Sequence, residues 1–206
     1  MTLHENPQQH AGFHLPTRRR SQGAVVPVTS DVATTTAAAY AVAATRTLLG
    51  FVFLWAFVDK VFGWGYATPA AKSWVNGGSP TKGFLSGVSA GPMESTFHSW
   101  AGSGLVDWLF MLGLLGIGIG LVSGVALKLT AAAGTAMMAF MWMAEWPLAQ
   151  HTSAGAPTMS SNPLVDYHVM FAALMITLAV SAAGTAFSLG GRWARLPLVS
   201  RNGWLR

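Results

Sequence analysis

From Asp59 onward every acidic residue of the chain (Asp59, Glu94, Asp107, Glu145 and Asp166) falls at one end of a set of long apolar runs. His98, His151 and His168 fall at the same end. Arg46, Lys128, Arg192, Arg195, Arg201 and Arg206 fall at the other end or just inside it, and Arg18, Arg19 and Arg20 precede the first run. Only 9% of the 206 residues are charged, against 52% hydrophobic. A soluble domain carries about 25% charged residues, so charge this sparse and this sorted points to lipid as the solvent.

Four runs are long enough to consider as spanning helices, which need roughly 20 mostly apolar residues. They cover about 37–62, 108–127, 129–146 and 163–189. The turn near Lys128 is very short, so the second and third runs must form an antiparallel hairpin. Asn162-Pro163 predicts the start of the fourth helix, with an N-cap followed by proline at the first helical position. Positive-inside counting puts both termini in the cytoplasm and loops 64–104 and 148–162 outside. The fold class expected is therefore all-α, a four-helix transmembrane bundle. Residues 1–36 read as a cytoplasmic tail, since Arg18-Arg19-Arg20 lies too far from the first apolar run for an export signal. Residues 191–206, with Trp193 and Trp204 among arginines, read as an inner interfacial anchor. Loop 64–104 is too long for a connector. Its turn signals and Trp64, Trp74, Phe84, Phe97 and Trp100 predict short interfacial helices that cap the bundle.

Composition also excludes chemistry. The chain has no cysteine, which removes disulfides, thiolate nucleophiles and cysteine-ligated iron–sulfur clusters. A b-type haem is not expected, because only His168 lies within a span and axial ligation draws histidines from facing helices. Met137, Met138, Met141 and Met143 suit packing better than copper, and no metal is expected. The net charge of +5 sits beside apolar runs and suits membrane lipid, not nucleic acid. Gly116, Gly120 and Gly124 form a small-residue ladder that predicts close packing against the Ala131–Ala139 region of the next helix. The string Gly116-Ile-Gly-Ile-Gly120 has no preceding strand and is not a dinucleotide loop.

Antiparallel threading brings Asp59, Lys60, Asp107, Glu145, Asp166 and His168 to one depth, with Trp55, Trp142 and Trp146 beside them. Ionisable groups near hydrocarbon are costly and turn inward to pair. As a site, Glu145 and His168 exchange protons with a quinol head-group or small anion, Asp166 tunes His168, and Lys60 attracts an anion or a quinone carbonyl. As architecture, the same residues form an aromatic belt with interfacial ion pairs, for example Lys60 with Asp59 or Glu145. Arg46 either snorkels to the headgroups or binds a lipid or quinone group from within the span.

The run Arg46-Thr-Leu-Leu-Gly50-Phe-Val-Phe-Leu-Trp55-Ala-Phe-Val-Asp59-Lys60 resembles the first-helix signature of the DoxX/DoxD family. The glycine-rich second run, Trp146-Pro147 and Asn162-Pro163-Leu164-Val165-Asp166-Tyr167-His168 are similar to that family as well, over about residues 40–195. The resemblance implies a four-helix protein of the bacterial plasma membrane. It further implies a subunit of a quinone-linked oxidoreductase, with thiosulfate as electron donor in DoxD-type members. On this expectation Glu145, His168 and Asp166 are catalytic, while Lys60, Asp59, Arg46, Trp55, Trp142 and Trp146 bind quinone. The alternatives are a non-catalytic accessory subunit packed against other membrane proteins, and a small carrier of anions or lipids.

Overall fold

The computed structural model describes residues 36–181 and 185–205. The tail expected over most of residues 1–36 lies outside the described residues. The described chain is all-helical, apart from an isolated bridge between His151 and Pro157. Three helices are long and apolar enough to cross a membrane: α1 (Thr36–Phe62), α4 (Gly104–Ser123) and α5 (Leu127–Glu145). Between α1 and α4, two 3-10 turns (Ala70–Lys72 and Trp74–Asn76) precede α2 (Lys82–Ser86) and α3 (Glu94–Trp100). Loop 64–104 is thus built of short helical pieces, as its turn residues predict.

The fourth apolar run departs from expectation. Its helix, α6, is Tyr167–Val180, only 14 residues. At 1.5 Å per residue it covers about 21 Å, against a hydrocarbon core of about 30 Å. It does not begin at Pro163. Asn162 spends its side-chain oxygen on the amides of Leu164 and Val165 in a local turn. Asp166 supplies the cap instead, its Oδ1 accepting from the amides of His168 and Val169. His168 is therefore the second residue of the helix.

Helix α1 packs along α4 and α5 along α6, while α4 lies beside α5 and α1 touches α6. Leu49, Phe53, Met111, Leu114, Ile117, Leu121, Met138, Met175 and Leu178 form the shared buried core. The turn joining α4 to α5 falls at Gly124-Val125-Ala126, where Val125 N–H reaches Gly120 O and Gly124 N–H reaches Leu121 O in a Schellman end. The glycine ladder acts only in part as expected. A Cβ on Gly120 would strike Thr130 of α5, but one on Gly116 would meet nothing, whereas one on Gly118 would strike Leu54 of α1, and one on Gly50 the backbone of Val122. The closest backbone approach is therefore between α1 and α4.

After α6 the chain returns to the end of the molecule that holds Arg46. Leu189 N–H bonds Ser123 O, and Lys128 Nζ bonds Gly203 O. Short helices α7 (Gly190–Trp193) and α8 (Pro197–Arg201) follow, and Trp193 Nε1 donates to Leu205 O. Asp166 and Phe187 thus lie at opposite ends of the helix assembly.

Candidate functional site

The clustered outer residues divide into groups with different employment. Asp59 is fully buried, and its carboxylate accepts from the amides of Tyr66 and Ala67. Asp107 is buried and accepts from Ser79 Oγ, Thr81 N and Thr81 Oγ1 at 2.9, 3.0 and 2.6 Å. These two acids tie the cap to the ends of α1 and α4. Asp59 lines neither of the cavities described below, so the structure brings no ligand-facing carboxylate from it.

Lys60, the next residue, faces elsewhere. It lines an apolar cavity of about 670 Å³ with Phe84, Leu85, Phe97, Trp100, Phe110 and Met141 among the walls. Its ammonium lies 5.8 Å from the Phe110 ring centroid. Among the described residues neither Asp59 nor Glu145 forms an ion pair with it. The expected interfacial ion pair is thus absent at this lysine among the described residues, and its cation sits in an apolar wall near a ring face, with the charge of Asp59 acting on it from a distance.

A second cavity, about 660 Å³, is lined by Glu145, Asp166, Tyr167, Asn162 and Ser160, and by Phe84 and Ala144, which it shares with the first. Among the described residues no lysine or arginine lines it. Glu145 ends α5, and its Oε1 accepts from the Tyr167 hydroxyl at 2.8 Å. Tyr167 lies over the His168 ring with centroids 3.9 Å apart. His168 is fully buried, and its Nδ1 donates to Asp166 Oδ2 at 2.8 Å. Its Nε2 is buried with no hydrogen-bond partner among the described residues. Tyr167 is the residue that sequence reasoning missed. Its position between Asp166 and His168 was visible, but its reach to Glu145 depends on how α5 and α6 pack.

The remaining expected residues lie apart. Trp55 joins Trp64 and Tyr66 in an aromatic cluster. Trp142 and Trp146 pack edge-to-face at 5.6 Å and line neither cavity. Trp146 holds a left-handed backbone, φ 40°, over Gly91. Arg46 is at the far end, buried, with Nη1 donating to Leu121 O and Val122 O (2.5 and 2.9 Å) and Nη2 to Phe187 O (3.3 Å). It neither snorkels nor faces a cavity. It caps the carbonyls that end α4 and holds the returning chain against them. His98 lies in α3 with Nε2 against Val88 O at 2.7 Å.

No protein-family model, no curated protein and no solved structure matches this chain.

Proposed function

We propose that the chain is a DoxX/DoxD-like membrane subunit of a quinone-linked oxidoreductase in a bacterial plasma membrane, with thiosulfate as the donor class. The supporting observation is the pair of cavities meeting at Phe84 and Ala144, one apolar with a single ammonium, the other lined by carboxylates. An apolar chamber with a few convergent polar groups is what a quinone ring requires. Bound there, quinone supplies a two-electron, two-proton acceptor. Lys60 would hold a carbonyl oxygen, because a cation in an apolar wall gains most from an acceptor. Glu145 and His168 would handle protons, with the Tyr167 hydroxyl on Glu145 and Asp166 fixing the imidazole. Electrons would come from a sulfur anion or a partner subunit at the same face.

The topology proposed is four spans with both termini cytoplasmic. Asp166 shares an end with Glu145, and Phe187 shares the other end with Arg46, so the segment between them runs the length of the assembly. Residues flanking α6 would complete the crossing.

The test is the purified protein in mild detergent. Bound quinone in the isolated chain, lowered about tenfold by Lys60→Met, is the expected result. A chain without quinone, held in a stable assembly of larger subunits, would instead be an accessory subunit.

A further inference from the structure

We infer that Glu145, Asp166 and His168 form a binding site for a divalent transition-metal ion of the zinc class. One oxygen of each carboxylate and one imidazole nitrogen lie within 4.8 Å of one another. Ligands each about 2.0–2.2 Å from one zinc stand no more than about 4.4 Å apart, so the side chains would draw together slightly on binding. The three residues come from two elements, the end of α5 and the start of α6. Gly134, whose absent Cβ leaves room for Met175, fixes how those helices pack. The triad is therefore brought together by the scaffold and not by one flexible loop.

Two further observations point to an ion. Asp166 divides its carboxylate: Oδ1 caps α6, while Oδ2 accepts from His168 Nδ1–H, and an ion held between that oxygen and that nitrogen would take the place of the shared proton. Among the described residues the adjoining cavity carries Glu145 and Asp166 with no lysine or arginine in its walls, so its carboxylate charge favours a cation. One imidazole with two carboxylates is a mixed nitrogen–oxygen set suited to zinc and its neighbours, whereas calcium and magnesium favour oxygen alone. Three protein ligands leave a coordination position open, and here the cavity provides room for it.

The site goes beyond the quinone reading and does not depend on it. The experiment is equilibrium dialysis of the full chain in detergent against Zn²⁺, with zinc counted by elemental mass spectrometry. Glu145→Gln is the first variant, because Glu145 is exposed and its replacement leaves the core intact. Asp166→Asn, which keeps a capping oxygen, is the second. One zinc per chain is expected, with affinity at least about tenfold weaker in both variants. Lys60→Met should retain zinc whatever it does to quinone, which separates this inference from the functional reading. A wild-type chain that retains no zinc overturns the proposal. So does equal retention by Glu145→Gln, since the ion would then sit elsewhere, as on the tail histidines His4, His10 and His14.

Discussion

Arg46 and Lys60 are both basic residues of one apolar helix, and their surroundings give them opposite work. Arg46 spends its guanidinium on carbonyls of α4 and of the returning chain. Replacing it with methionine leaves those carbonyls unpaired in a buried place, a loss on the order of 2–3 kcal/mol. Thermal unfolding in detergent should show Arg46→Met clearly destabilised and Lys60→Met nearly unchanged. Equal effects would mean that Arg46 is not the pin described. Gly91 makes a similar point about backbone. It has φ +99°, and a Cβ there would lie 2.7 Å from the Trp146 ring. Gly91→Ala should therefore lower the midpoint, since strain and clash act together.

At the level of elements, glycines separate helix packing from helix propensity. Gly50 has the backbone of Val122 2.9 Å from where its Cβ would be, and Gly116 has nothing nearby. Gly50→Ala should destabilise by about 1–3 kcal/mol. Gly116→Ala should be neutral or stabilising by up to about 1 kcal/mol, the helix-propensity gain of alanine over glycine. Paired melting curves decide it, and the opposite order would remove the α1–α4 close approach. The spacing of Gly116, Gly120 and Gly124 could not reveal this, because periodicity shows which residues share a face and not which partner that face meets. The start of α6 is a comparable case. Asn162-Pro163 and Asp166 are both sound cap signals, and local hydrogen bonding decided between them.

For the whole molecule, the number of crossings fixes where the termini lie. Three crossings place them on opposite sides, and four place them together. The chain has no cysteine, so single cysteines report cleanly. Ser21→Cys and Asn202→Cys should both resist a membrane-impermeant maleimide in intact cells, while Ser95→Cys in the cap should react. Labelling of position 202 from outside would show that α6 does not complete a fourth crossing. Helix class, three of the four expected long apolar helices and the helical pieces of loop 64–104 were legible in the sequence because each depends on local composition and turn residues. The division of the outer residues was not. Asp59 and Lys60 are adjacent, yet one is turned to loop amides and the other to a cavity.

The sequence by itself determined that this chain belongs in lipid, which way its charges sort, and that Glu145, Asp166 and His168 share one end. Those follow from hydropathy and from the length a helix needs to cross a membrane. Only the tertiary structure decided which of the sorted charges face one another. Pairing depends on helix rotation and on angstrom-scale side-chain reach, and those are set by packing between segments distant in the chain. That packing placed Tyr167 on Glu145, moved Arg46 from ligand to cap, and set Lys60 in one cavity, Glu145 and Asp166 in its neighbour, and Asp59 and Asp107 in neither.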